Sequence, residues 1–273
     1  MRTVLVTGGS SGIGRAVVAR FAAAGDHVWF TYRTGRDRAE EVVAEHGSAV
    51  VAFPFDQGDW EAHQRLVASL PGPVDVLVNN AAVGSGTVER HVDGGDEERA
   101  AAFLRINSVG PLWLTRQLLP DMLLRGGVVV NVSSVGGGVA PFPGFDVADG
   151  MSKAALAYMT RHLAAELAHE PVRVLAVCPG AVETPMLDAS TLAALDPVRR
   201  AELVAGLPGG RLITAAEVAE LIHWLTLPAA ALLHGAVIDA SMGLGVHPGL
   251  LNRQAPASTT PPVDALAGIG SVV

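Results

Sequence analysis

The chain has 273 residues, enough to bury one large α/β core without a second domain. Apolar residues make up 49% of it but aromatic residues only 5%, so the core is expected to rest on Val, Leu, Ala and Ile, as in parallel strands covered by helices. The 27 acidic against 19 basic residues, with no basic block, argue against a nucleic acid partner, and the single cysteine, Cys178, excludes an internal disulfide and a cysteine-rich metal site.

Met1 leads straight into the apolar run 3–7, so no signal peptide is expected and the cytoplasm is the expected compartment. No apolar run reaches the length of a membrane span, and no membrane partner is expected. Strands are predicted at 3–7, 27–32, 49–54, 74–78, 127–132, 172–177 and 236–239, where β-branched and apolar residues cluster between turn signals. Amphipathic stretches of helical length lie between them, at 13–24, 36–46, 60–70, 97–124, 152–168 and 215–227. Such alternation implies right-handed crossovers and a Rossmann-like, doubly wound parallel sheet of about seven strands with helices on both faces. Ligands of that architecture bind beyond the carboxyl ends of the strands. The segments 135–148 and 183–210 interrupt the alternation and read as loops or mobile helical flaps over a site. Residues 1–247 are expected to form one domain, and 248–273, rich in Pro, Ala and Thr, a loosely held tail.

The first strand runs into Thr7-Gly8-Gly9-Ser10-Ser11-Gly12-Ile13-Gly14. Glycines at these spacings permit a tight turn and a close backbone approach, so that amides and a helix N-terminus can face a pyrophosphate; the alternative is a plain structural turn. The G-x-x-x-G-x-G spacing resembles that of the short-chain dehydrogenase/reductase family, and further segments agree in order along residues 1–247. Asn79-Asn80-Ala81-Ala82 is similar to the family's N-N-A-G, with Ala82 in place of glycine. Asn107 resembles its structural and catalytic asparagine, and Ser133-Ser134 close the fifth strand. Pro179-Gly180-Ala181-Val182-Glu183-Thr184 resembles the P-G-x-x-x-T segment that meets the nicotinamide. The resemblance implies cofactor contacts from Gly8, Ser10, Ser11, Gly12, Ile13, Gly14, Asn79, Ala81, Pro179, Gly180, Val182 and Thr184.

The end of the second strand selects the dinucleotide: a carboxylate there bonds the ribose hydroxyls of NAD(H), whereas an arginine accommodates a 2′-phosphate. Phe30-Thr31-Tyr32-Arg33-Thr34 has no acid and is followed by Arg36, so NADP(H) is expected in preference to NAD(H); otherwise Arg33 and Arg36 form a solvated helix start. Asp56 resembles the family aspartate that contacts the adenine amine, or is a capping acid before Trp60.

The family resemblance implies a Tyr-x-x-x-Lys pair, one helical turn apart, for proton chemistry. Lys153, in Met151-Ser152-Lys153-Ala154-Ala155, is similar to that lysine, which also holds the nicotinamide ribose. Four residues earlier stands Asp149. Ser134, or alternatively Ser133, is similar to the serine that orients the carbonyl, at an interval about two residues longer than the family's. A carboxyl starts near pKa 4 rather than a phenol's 10, and a neighbouring ammonium is expected to lower it further, leaving Asp149 an anion unless burial intervenes.

The catalytic set is therefore Asn107, Ser134, Asp149 and Lys153. Three readings follow: an NADP(H)-dependent oxidoreductase with an atypical proton route, a non-redox enzyme using Asp149 as base, or an inactive relative in which Asp149 and Lys153 form a structural ion pair. Tyr158 points elsewhere on the helix than Lys153. No histidine pattern indicates a metal. His91 either faces the pocket or is a solvated loop residue, Cys178 is a nucleophile or a buried hydrophobe, and Glu183 and Asp188 touch substrate or begin the flap. The Phe142-Pro143-Gly144-Phe145 loop with Met186, Leu187 and Leu192 suggests a small hydrophobic substrate. The family commonly assembles as dimers or tetramers, for which Leu112, Trp113, Leu118, Leu119, Leu156, Met159 and Leu163 are candidates, core packing being the alternative.

Overall fold

A computed structural model of the chain describes residues 1–142 and 145–246. The expected tail at 248–273, and Pro143 and Gly144 of the expected substrate loop, lie outside the described residues. Seven parallel strands, β1 (Thr3–Val6), β2 (His27–Tyr32), β3 (Val50–Pro54), β4 (Val76–Asn79), β5 (Gly127–Val132), β6 (Val172–Pro179) and β7 (Val237–Ala240), form one sheet in the order β3-β2-β1-β4-β5-β6-β7. The chain reverses direction across the sheet between β1 and β4, whose register pairs Val4 with Val76 and Val6 with Val78. A crevice opens beyond the strand ends at this reversal.

Both faces of the strands are buried, which is why they read as continuous apolar runs rather than alternating ones. Val4, Val6, Val28, Phe30, Val76 and Val78 point to one side, where α1 (Gly12–Ala23), α2 (Arg36–His46) and α10 (Ala215–Leu225) cover them through Val17, Phe21, Val42 and Ile222. Leu5, Trp29, Leu77 and Val129 point to the other, packing on α3 (Trp60–Ser69), α5 (Gly110–Arg125) and α7 (Val147–Glu166) through Leu66, Leu114, Leu118 and Leu156. Truncating a fully buried phenylalanine such as Phe21 to alanine costs about 3–5 kcal/mol in cores of this kind.

The expected single helix 97–124 is interrupted: α4 (Asp96–Leu104) passes through a π-helical turn, Arg105–Val109, before α5 begins. The extra residue in this turn lets Asn107 bury its side chain toward the loop after β4 and α7; Pro111 follows at the start of α5 with no N–H to give the turn, and the Ile106 carbonyl accepts from Gln57 instead at 2.7 Å. The segment 135–148 contains a single turn, α6 (Val135–Gly138), capped by Ser134, and the start of α7, capped by Asp146 through the amides of Ala148 and Asp149. In 183–210, Thr184 caps the short α8 (Pro185–Leu187), a π turn spans Asp188–Leu192, and α9 (Pro197–Ala205) follows. Among the described residues no helix is long and apolar enough to cross a membrane.

Candidate active site

A cavity of about 1350 Å³ lies beyond the strand ends and runs from the end of β2 to the start of α7. Its floor is the turn after β1. Gly8 holds φ +70° against Ala81, where a Cβ would stand 3.0 Å from the Ala81 Cα, so this position needs glycine. A Cβ on Gly14 would collide with the Gly8 carbonyl oxygen; Gly14 therefore closes the turn from behind and is absent from the cavity wall, whereas Gly8, Ser10, Ser11, Gly12 and Ile13 line it. Ser11 precedes α1 without a side-chain capping bond, leaving the first amides of the helix to face the cavity. A glycine cradle beside uncapped helix amides fits a pyrophosphate.

The second half of the loop is braced by polar contacts. Thr7 accepts the Asn80 and Ala81 amides on its hydroxyl at 3.0 and 2.9 Å. Asn80 donates to the carbonyls of Thr7 and Gly8, and Ala81 lines the cavity. Asn79 is placed differently from its expected cofactor contact. Its side chain is buried in the sheet and donates to Thr115 at 3.1 Å and Asn131 at 2.9 Å.

At the β2 end of the cavity, Arg33 follows the strand and donates to Asp56 at 2.8 Å, and both line the cavity. Arg36 points away, donating to Glu40 one turn on at 2.9 Å. The cavity wall instead carries Arg38, whose guanidinium folds over Gly35; with φ +78° and no side chain, Gly35 leaves the space it occupies. Sequence reasoning missed Arg38 because a left-handed residue before α2 rotates which helix face meets the cavity. It also missed Gln57, which is buried and donates to the carbonyls of Ala81 and Ile106 at 3.0 and 2.7 Å, tying the β3 end to the cofactor wall. His91 lines the cavity here, and burial and the adjacent Arg33 hold its imidazole below the usual histidine range.

At the other end, α7 brings Asp149 and Lys153 to the wall one turn apart, facing Ser133 and Ser134 at the end of β5. The Lys153 ammonium donates to the Val132 carbonyl at 3.4 Å; among the described residues it has no carboxylate within ion-pair distance. Burial pushes its pKa down, partly offset by Asp149. Asp149 departs from expectation: desolvation raises its carboxyl above the ordinary range, outweighing Lys153, because the side chain sits in the wall and not at the surface. The two serines divide their tasks. Ser133 donates to the Lys153 backbone carbonyl at 2.8 Å and fastens α7 to β5, while Ser134 accepts the Gly136 amide at 3.2 Å and turns its hydroxyl to the cavity rim.

Asn107 is buried behind this wall rather than in it. It accepts the Val83 amide at 2.8 Å and donates to the Val83 carbonyl and to Ser152 Oγ, which itself donates to the Asp149 carbonyl at 2.7 Å. The relay reaches the backbone of Asp149. Pro179, Gly180, Val182 and Thr184 line the opposite wall, followed by Met186 and Leu187, while Leu192 is buried beneath. Phe142 and Phe145 line the cavity with their rings 5.8 Å apart, the first buried and the second half exposed. Cys178 is fully buried behind the site, its thiol pushed up by desolvation, which disfavours a nucleophilic thiolate. Glu183 and Asp188 are absent from the wall, and Asp188 pairs with Arg200 at 3.2 Å. Leu118, Leu156, Met159 and Leu163 are core, whereas Trp113 and Tyr158 are exposed.

Comparison with known proteins agrees with this geometry. Residues 2–194 match the family described as short chain dehydrogenase. The chain is 35% identical over 246 residues to 2-(R)-hydroxypropyl-CoM dehydrogenase of Xanthobacter autotrophicus, covering 87% of this chain and 96% of that protein. It is 36% identical over 232 residues to serine 3-dehydrogenase of Rhizobium radiobacter, covering 82% and 87%. Among solved structures, a variant of the actinorhodin polyketide ketoreductase with NADPH superposes with TM-score 0.80 at 31% identity, covering 89% and 97%. The 3-ketoacyl-(acyl-carrier-protein) reductase of Brucella melitensis, complexed with NADH, does so with TM-score 0.76 at 30% identity, covering 89% and 98%.

Proposed function

The chain belongs to the short-chain dehydrogenase family, and from that premise we propose that it is an NADP(H)-dependent oxidoreductase acting on the carbonyl or alcohol of a small hydrophobic molecule. The observation that carries the cofactor reading is the pair of guanidiniums, Arg33 and Arg38, lining the cavity at the end of β2 with no carboxylate at the strand terminus. The two guanidiniums would supply charge-assisted hydrogen bonds to a 2′-phosphate. The nicotinamide, when bound, supplies or accepts the hydride. With the dinucleotide bound, Gly8 to Ile13 would hold the pyrophosphate, Asp56 the adenine edge, Lys153 the ribose hydroxyls, and Pro179 to Thr184 the nicotinamide face.

Asp149 takes the place of the family tyrosine, one turn before Lys153. Ser134 orients the reacting oxygen from the opposite wall, and the proton arrives by a route other than a phenol. Burial raises the Asp149 carboxyl above its ordinary range, which favours the protonated form relative to an exposed aspartate and supports it as a proton donor. Losing a tuned phenol costs about 10²–10⁴-fold in rate without forbidding hydride transfer. The non-redox alternative keeps Asp149 as a base, and turnover without net change in nicotinamide would identify it. The hydrophobic wall of Val139, Pro141, Phe142, Phe145, Met186 and Leu187 supports an apolar substrate. We further propose a cytoplasmic homodimer or homotetramer built on the outer faces of α5 and α7, where Trp113 and Tyr158 are exposed.

Titration with NADPH and NADH, followed by nicotinamide fluorescence, tests the reading. Binding selective for NADPH supports it; binding selective for NADH removes the phosphate assignment; no binding of either removes the oxidoreductase.

A further inference from the structure

The catalytic half of the cavity is unusual in its charge. Three charged side chains line it: Asp146, the N-cap of α7, and Asp149 and Lys153 from its first two turns; the other charged residues of the wall, Arg33, Arg38 and Asp56, with His91, sit at the β2 end. Two carboxylates thus face the reacting region against one ammonium, and that ammonium is turned onto the Val132 carbonyl rather than onto either of them. Asp146 uses one oxygen to cap α7. Ser85 lines the wall near Asp149, Ser133 donates to the backbone carbonyl of Lys153, and Cys178 lies buried behind on β6. Phe142, buried, and Phe145, half exposed, line the same cavity as Asp146, their rings 5.8 Å apart. Carboxylates and aromatic rings on one apolar wall attract the same kind of ligand, an organic cation.

Hydride transfer to a neutral carbonyl creates an oxyanion, which the carboxylates of Asp146 and Asp149 on the same cavity wall disfavour. Transfer to a carbon–nitrogen double bond bearing positive charge creates no new anion. We propose that this site carries a further activity, the reduction of hydrophobic iminium compounds, with Asp149 and Asp146 holding the cation and Asp149 standing beside the reacting nitrogen. The inference rests on the hydride-transfer reading above. The iminium carbon accepts hydride from the reduced nicotinamide, which is oxidised by two electrons; the C=N π pair passes to nitrogen, which becomes neutral, and no proton is taken up. For a neutral imine the nitrogen first takes the Asp149 carboxyl proton, giving the same ion pair. The missing phenol is then no loss, because the acceptor arrives already charged.

The test compares N-methyl-dihydroisoquinolinium, a permanent cation, with tetralone, a neutral bicycle of similar shape. NADPH and NADP⁺ binding is measured first, so that failure of the cofactor reading is seen separately. Calorimetry on the full chain with NADP⁺ present, where no hydride is available, then reads affinity alone. The cation is expected to bind about 10–100-fold more tightly than tetralone, and Asp149→Asn to lose most of that advantage while keeping its NADPH affinity, which controls for folding. With NADPH, the iminium is expected to turn over at least about 100-fold faster than tetralone, and Asp149→Tyr to shift the preference toward tetralone. Equal binding of the two bicycles overturns the proposal. So does cation binding unchanged by Asp149→Asn, or turnover of tetralone with none of the iminium, either of which leaves the oxidoreductase reading standing.

Discussion

Arg33 donates its Nε–H to the Asp56 carboxylate at 2.8 Å, joining the ends of β2 and β3 across the rim of the nucleotide cavity. The side chains are 32% and 40% exposed, so the pair itself is worth only about 0–1 kcal/mol. On the NADP(H) reading proposed above, a 2′-phosphate would replace Asp56 as partner of the guanidinium at little cost.

From this exchange, Arg33→Ala and Arg38→Ala are each expected to weaken NADPH by about 10–100-fold, the worth of a charge-assisted hydrogen bond, with a much smaller effect on NADH. Arg36→Ala is expected to change neither, because Arg36 is engaged with Glu40 on the outer face of α2. Fluorescence titration of the three variants with both nucleotides checks the assignment; an Arg36 effect equal to that of Arg38 would reverse it.

Gly14→Ala places a methyl group on the Gly8 carbonyl, a backbone atom that cannot move without opening the turn. The variant is expected to lose about 1–3 kcal/mol of stability and most of its nucleotide affinity together. Gly25→Ala has nothing within 4 Å of the new Cβ but holds φ +83°, and it is expected to lose about 1–2 kcal/mol with nucleotide affinity intact. Denaturant unfolding and NADPH titration of the two variants separate the loop's ligand role from simple backbone strain.

Much of this was legible in the sequence, and the exceptions have physical causes. Runs of Val and Leu bounded by turn residues located all seven strands to within about two residues, because strands buried on both faces leave little else in the sequence. The stretch 97–124 did not disclose its π turn, since one inserted residue barely perturbs helical periodicity while redirecting Asn107 inward. Arg38 was hidden behind Arg36 because the left-handed Gly35 sets the rotation of α2. The upward shift of Asp149 was also hidden, for spacing reveals the Lys153 charge one turn away but not the desolvation that outweighs it.

Asn107 ties three pieces together: the loop after β4 through Val83, the π turn that carries it, and α7 through Ser152. Asn107→Ala leaves the Val83 amide and carbonyl buried and unpartnered, with an expected loss of about 2–4 kcal/mol. Since Ser152 also donates to the Asp149 carbonyl, turnover is expected to fall further than nucleotide binding does. Chemical denaturation with parallel NADPH titration reads both; equal losses in binding and turnover would reduce Asn107 to a scaffold residue.

The two charges on α7 make opposite contributions to the pH dependence of stability. Burial lowers the Lys153 pKa below 10.5, so between its folded value and 10.5 the unfolded chain holds a proton that the folded chain has released. Stability then rises with pH across that window. For Asp149 the folded pKa lies above 3.8, so the folded chain holds the extra proton, and stability falls as pH rises from 3.8 through the folded value. At neutral pH both groups carry a desolvation penalty. Lys153→Met is therefore expected to be more stable than the parent by about 1–3 kcal/mol at neutral pH, with the advantage shrinking as the pH climbs toward that of free lysine. Asp149→Asn is expected to gain stability above its window and none below it. Unfolding curves for parent and variants from acid to alkaline pH follow both, and a Lys153→Met variant less stable than the parent at neutral pH would mean that the ammonium is compensated within the wall.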